Sequence, residues 1–406
     1  MIFQRSFLLP LLLSPLGLLI PLAPRSGPLL VLLLGIAGLV HYVRYRPSLD
    51  WLRGSPVYLL GAFLVYVFLS AIWSVTPERS FEQAVRLSAL AFFGLAAFSL
   101  VRSLTESQRD RVVKCLTPAL IIGIFTGSLY GLLQYTGPSL RTMADFLSLN
   151  PELLQFQSQR LHIAKTLFVT NLAFFSLLPW LWQRQNALAI IAYFSFLPVC
   201  FYSDSQAAFV TCITGGGVFL ISKISAKWAT QLFAAGLIGG MLLAVPLTQS
   251  SNISESLQSN TPRALMQGGS IKLRIQIYKF FGEQISKRPI LGHGLEAGVK
   301  YVAPDIDYQK IHKGVRTPHN VFLQIIFDLG YLGAALTLLV LLLPIRQLYM
   351  SRAPHFAAAF VLPVCVMIAA TLFNFVIWRT WIPGATILSA LFIFIQAQQT
   401  LENGNT

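Results

Sequence analysis

Apolar runs recur along the chain at a length that matches a bilayer, separated by short polar breaks, and they predict twelve membrane-crossing helices. These fall near residues 7–22, 27–43, 56–73, 86–103, 116–135, 163–182, 186–202, 205–221, 229–248, 320–344, 357–377 and 381–397. A hydrocarbon core of about 30 Å needs about 20 helical residues, and most of these runs approach or reach that length. The first, FLLPLLLSPLGLLIPL, is interrupted by Pro10, Pro15 and Pro21, so it reads as a bent span or a re-entrant element. It resembles a signal-peptide core, but the apolar character continues and no clean small-x-small site follows, so it is expected to be retained.

Two segments break the rhythm. Residues 136–162 form a minor loop ending at Arg160 and His162, and residues 249–319 form a much larger one. The chain therefore divides into about nine N-terminal spans (1–248), the large loop (249–319), and about three C-terminal spans with a short tail (320–406).

Charge orients this arrangement. With the N-terminus inside, the inner loops collect thirteen basic residues, among them Arg44, Arg46, Arg109, Arg111, Lys114, Lys223 and Arg346, against four acidic ones. The short outer loops carry few: Arg25, Arg79, Arg86, Arg141, Arg160 and Arg379, with Lys165 near a span end. The bias predicts both termini in the cytoplasm and the large loop outside; its ten Lys and Arg are no objection, because the rule is weak for long loops.

Composition agrees, with 55% apolar and only 11% charged residues, far from a soluble domain. The net charge of +15 is spread along the predicted membrane boundaries, which favours anionic lipids as partners over nucleic acid. Cys115, Cys200, Cys212 and Cys365 read as small apolar side chains. There is no CxxC, HExxH, Walker A or GxGxxG pattern, so no metal or cofactor is indicated.

The large loop is the richest in candidate chemistry. In SIKLRIQIYKFFGEQISKRP, Ile271, Ile275, Tyr278, Phe281 and Ile285 recur at helical spacing, with Lys272, Arg274, Lys279 and Lys287 placed for the water boundary. Pro289 stops this helix, and Gly292 and Gly294 permit a tight turn from which His293 projects. The segment is either an interfacial anchor or the wall of an electropositive cleft for an anionic ligand. Downstream, Pro318 holds Thr317 extended, so a helix is expected to begin near His319 or Asn320 at the outer boundary. An imidazole there can take a proton from a hydroxyl near neutral pH. Asn320 can orient that ring or a substrate, and Arg316 can reach a phosphate oxygen. Alternatively His319 merely caps the helix. Asp328 lies roughly 13 Å further along the helix, where a lipid-facing carboxylate would be costly; it either caps a break at Gly330 and Gly333 or binds a polar substrate or an arginine.

The segment HNVFLQIIFDLGYLG, together with LRIQIYKFFGEQISKRPILGHG, resembles the bacterial O-antigen ligase and polymerase superfamily. The resemblance covers roughly residues 200–345 and does not distinguish one member from another. It implies an all-α integral membrane protein of the bacterial inner membrane, with about 12 transmembrane helices and a large, partly helical periplasmic loop. Its members are inverting glycosyltransferases that transfer a glycan from an undecaprenyl diphosphate carrier without nucleotide sugar or metal. The acceptor is lipid A core in ligases, another carrier-linked glycan in polymerases, or a protein hydroxyl. By resemblance, His319 is the base or acceptor-orienting group and Arg274 a diphosphate ligand. A further family arginine follows a serine at the outer end of a middle span. Here the stretch is SDSQ, with Gln206 in its place, so Arg160, Arg316 or Arg379 would have to supply the missing charge. Tyr278, Phe281 and Phe322 are candidates to border the polyprenyl chain or are ordinary packing. A transporter or an envelope-assembly scaffold is the alternative; the scarcity of midspan charges and the lack of a persuasive internal repeat weigh against a transporter.

Overall fold

A computed structural model describes residues 23–136, 159–203, 205–250, 270–301, 317–350, 354–372 and 376–402. Among them the protein is helical throughout, with no sheet. Twelve α-helices are described: α1 (Gly27–Tyr45), α2 (Ser55–Leu69), α3 (Pro77–Arg102), α4 (Glu106–Thr136), α5 (Gln159–Arg184), α6 (Asn186–Tyr202), α7 (Gln206–Ile224), α8 (Ala226–Gln249), α9 (Ser270–Lys287), α10 (Val321–Met350), α11 (Pro354–Thr371) and α12 (Trp381–Glu402).

A helix stands at each of eleven predicted spans. Eight are long and apolar enough to cross a membrane, and α2, α6 and the Ala358–Thr371 part of α11 are shorter apolar helices. The first predicted span lies outside the described residues. The chain is thus a multi-pass membrane protein by length and composition of its helices.

Local chemistry sets many of the starts. Pro occupies the first turn of α1, α2 and α3, where its missing N–H costs nothing. Ser205 and Ser225 cap α7 and α8 by accepting from Ala208 N and Trp228 N, each at 3.3 Å. Two predictions shift. The fourth span begins at Pro77 rather than near 86, because PERSFEQAV continues the helix beyond its apolar part. On α9 the buried line runs through Ile277, Phe281 and Ile285, whereas Ile275 and Tyr278 are only half-buried. It packs against α8 and α10 and is therefore docked on the bundle.

The central element is α5. The rest of the protein encloses 83% of its apolar window, against 33% for α1, α3 and α8. Around it pack Leu167, Phe168, Leu172 and Phe175 with residues from α6, α7, α11 and α12. Glycine lets neighbouring helices close up: Gly35 and Gly38 of α1 lie directly on the backbone of Phe93 and Ala96 of α3.

The contacts sort the loops into two ends. At one end Gly27 abuts Gly384, Arg79 meets Glu296, and Thr248 touches Gly282. At the other, Ser103 bonds His41 and Gln347 bonds Ser55, while Arg184 and Lys223 lie over Trp180 and Trp182. All four cysteines are free, with Cys200, Cys212 and Cys365 buried.

Candidate functional site

The two sequence blocks meet in space. At Gly330 (φ 67°, ψ −176°) the long helix α10 is interrupted, which leaves carbonyls before the break and N–H groups after it without helical partners. The turn after α9 supplies the partners. His293 N donates to Phe327 O (2.9 Å) and Gly294 N to Asp328 O (2.8 Å), while Tyr331 N donates to Pro289 O (2.8 Å) and Leu332 N to Ile290 O (3.2 Å). From α2, the Tyr66 hydroxyl donates to Leu329 O at 2.7 Å. Gly292 and Gly294 have φ of 70° and 95°, and a Cβ at Gly292 would stand 2.5 Å from Gly330 N. The tight turn is therefore the complement of a broken helix, and each satisfies the other's backbone.

His293 turns inward. It is 2% exposed and stacks on Phe327 at 4.6 Å between centroids. Its Nε2 donates to Gln284 O (3.0 Å), which leaves Nδ1 to accept from the Tyr301 hydroxyl (2.9 Å). Burial lowers its pKa below the ordinary histidine value, and nearby Arg288 and Lys287 add to the shift. Burial raises the Tyr301 hydroxyl instead.

Asp328, two residues before the break, is fully enclosed. Trp378 Nε1 donates to its carboxylate at 2.6 Å, and Gln324 and the Glu296 backbone also reach it. These donors offset the cost of desolvating the group. Phe281 packs edge-on against Phe327 and is wholly buried, and the Phe322 ring lies against Gly240.

At the head of α10, Asn320 Oδ1 accepts from Phe322 N (3.0 Å) and Leu323 N (3.2 Å). Its oxygen caps the helix, while its amide retains donors for other partners. His319 precedes it half-buried with φ 49°, a left-handed conformation uncommon outside glycine. Glu296 shares that conformation (φ 56°). It accepts from Arg79 Nε at 2.8 Å, and its Oε1 has no hydrogen-bond partner among the described residues. Arg79, Glu296, Thr317, Gln324, Asp328 and Arg379 wall a cavity of about 60 Å³ beside the approach to His319.

The structure thus gathers His293, Asp328, Asn320 and the approach to His319 around the start of α10. Arg274 is half-buried on α9, and Gln206 is exposed at the start of α7; neither takes part in the hydrogen bonds of the turn and the break. Arg160 lies in the first turn of α5, and its side chain, like the whole of Arg316, is outside the described residues. Arg79, Ser80 and Glu296 did not stand out in sequence. The Ser80 hydroxyl bonds Leu295 O at 2.6 Å, and Gln83 bonds the Trp378 carbonyl. The available signal was that helix-forming PERSFEQAV is amphipathic rather than loop-like.

Comparison with known proteins gives a consistent answer. Residues 189–338 match the O-antigen ligase family profile. Proteins named "Putative polysaccharide ligase" are 26% identical over 352 residues in Rickettsia typhi and in Rickettsia prowazekii, covering 84% of this chain and 81% of each relative. A protein of the same name in Rickettsia felis is 24% identical over 378 residues, covering 90% of this chain and 87% of its own. No solved structure matches. This likeness supports an enzymatic, glycan-handling role in surface-polysaccharide assembly. The interlocked turn and broken helix are built from the two blocks that resemble the superfamily, and the break lies inside the region that matches the O-antigen ligase family profile.

Proposed function

We propose that the protein is an inner-membrane glycosyltransferase that moves a glycan from undecaprenyl diphosphate to an acceptor hydroxyl at the periplasmic face, as an O-antigen ligase does. The observation that carries this reading is His319. A non-glycine residue is held in a left-handed conformation between Pro318 and the capping Asn320, beside a cavity walled by two arginines and two carboxylates. Strain of that kind persists where the surrounding structure enforces it, which is frequent at reacting groups.

In the reaction, the acceptor oxygen attacks the anomeric carbon from the face opposite the diphosphate, and the bond from that carbon to the diphosphate oxygen breaks. The diphosphate leaves with the electron pair. The hydroxyl proton passes to the imidazole of His319. Because the leaving group is already good, the protein's main tasks are alignment and stabilisation of the developing negative charge, which Arg274 serves on this reading. On this reading the Glu296 Oε1, which has no partner among the described residues, is the acceptor offered to a sugar or acceptor hydroxyl in the cavity. Inversion at the anomeric carbon follows from direct displacement.

The test is transfer in proteoliposomes from an undecaprenyl diphosphate-linked glycan to lipid A core, with the anomeric configuration of donor and product compared by NMR. A product of inverted configuration is expected. Retained configuration, or no transfer to lipid A core, to a second carrier-linked glycan or to protein, would overturn the proposal.

A further inference from the structure

The superfamily arginine is replaced by Gln206, yet the structure holds a cation at the same depth on the neighbouring helix. Asn171 of α5 donates to the Cys200 thiol, whose other partner is Cys212 of α7, and Phe175 of α5 touches Gly215 of α7. These two registrations run in the same direction along the chain, so α5 and α7 are parallel. Lys165 precedes Asn171 by six residues, and Gln206 precedes Cys212 by six. At 1.5 Å per residue, both stand about 9 Å above that shared layer.

Lys165 occupies the outer end of the central helix and is only 6% exposed. Phe168, one turn on, packs edge-on against Trp381 at 5.4 Å, and Gly27 lies against Gly384 and Trp381. This packing brings the starts of α1 and α12 to the Lys165 face, and the charges acting on its ammonium are those of Arg25 and Arg379. Among the described residues, none of these three cations has a carboxylate within ion-pair distance. Three converging positive charges, one of them buried, repel one another, and an anion seated between them relieves that repulsion. Arg379 also walls the cavity beside His319, so the cluster is continuous with the candidate reaction site.

We propose that Lys165, with Arg25 and Arg379, binds the diphosphate of the lipid-linked donor and supplies the charge that Gln206 lacks. The proposal rests on the function put forward above, because it takes the anion to be the donor's leaving group. Lys165 contributes a buried ammonium, and the exposed guanidinium groups of Arg25 and Arg379 offer forked donors suited to the several oxygens of a diphosphate.

The test is equilibrium binding of undecaprenyl diphosphate to the full chain in phosphatidylcholine nanodiscs, with undecaprenol and phosphatidylglycerol as separate probes. Lys165→Met should weaken diphosphate binding at least tenfold and Arg379→Gln severalfold, with undecaprenol binding unchanged. Lys165→Arg should retain most of the affinity, which shows that the position tolerates substitution when charge is kept. Unchanged diphosphate affinity in Lys165→Met would overturn this site while leaving the proposed function standing. Lys165-dependent binding of phosphatidylglycerol as tight as that of the diphosphate would reassign the cluster to a lipid headgroup and overturn it likewise. Absence of diphosphate binding in the wild type would overturn both.

Discussion

Gly330→Ala is the perturbation whose cost can be worked most directly. The backbone at this residue has φ 67° and ψ −176°, a region essentially reserved for glycine, so any side chain there carries about 1–3 kcal/mol of strain. The added Cβ would also press on the Ile290 carbonyl and stand 2.7 Å from Gly292 N. Both obstacles are backbone, so no rotamer change relieves them. Separating the turn from α10 would relieve the clash but forfeit the Tyr331 and Leu332 hydrogen bonds, at about 1 kcal/mol each. The expected loss is about 3–5 kcal/mol of local stability. Hydrogen exchange followed by mass spectrometry reads it: peptides spanning 289–296 and 327–333 should exchange at least ~100-fold faster, since about 1.4 kcal/mol is a factor of ten. Gly236→Ala is the control, because its Cβ meets nothing within 4 Å and alanine is the better helix former. Wild-type exchange in Gly330→Ala would refute the interlocking of turn and helix.

Three further outcomes follow from the same region. His293 is buried neutral with a lowered pKa, so the unfolded state binds its proton more readily; stability of the turn should fall as pH drops below the ordinary histidine value of 6.5, and thermal unfolding of His293→Gln should lose that part of the pH dependence. The ion pair of Arg79 (39% exposed) with Glu296 (7% exposed) is asymmetric, so Arg79→Gln, which strands the buried carboxylate, should lower stability by about 2 kcal/mol and more than Glu296→Gln; the reverse order in thermal melts would contradict the burial argument. Asn320→Ala should cost about 1 kcal/mol through loss of the cap, and Asn320→Ser should restore the stability; failure of serine to restore it would show that Asn320 contributes something beyond capping.

Apolar patterning revealed the helices because a bilayer imposes one simple requirement on every span. Its failures have a physical pattern. The helix from Pro77 was truncated in the sequence reading because Glu78, Arg79 and Glu82 are polar, yet those positions form the part of α3 that leaves the apolar layer and carries Arg79 to Glu296. On α9 the face that docks is Ile277, Phe281 and Ile285, spaced four residues apart, whereas Ile275 and Tyr278, part of the apolar pattern read from sequence, lie only half-buried. The blocks around His293 and Asp328 were visible as motifs, but their joining was not. It depends on hydrogen bonds across 34 to 42 residues of sequence and on three positive-φ glycines whose need arises only when the segments meet. His293 illustrates the consequence: its flanking glycines suggested a projecting ring, whereas they fold it onto Phe327. Lys165 was legible only as a residue near a span end, and its convergence with Arg25 and Arg379 comes from the packing of three helices.

On the proposed function, His319 and a cationic pocket perform glycan transfer. The most direct measurement is the initial rate of transfer from undecaprenyl diphosphate-linked glycan in reconstituted membranes, comparing wild type, His319→Ala and Arg274→Ala at matched, folded protein levels. His319→Ala should lose at least ~100-fold, within the range of general-base catalysis, and Arg274→Ala should show a clear loss. Transfer by both variants at the wild-type rate would contradict it.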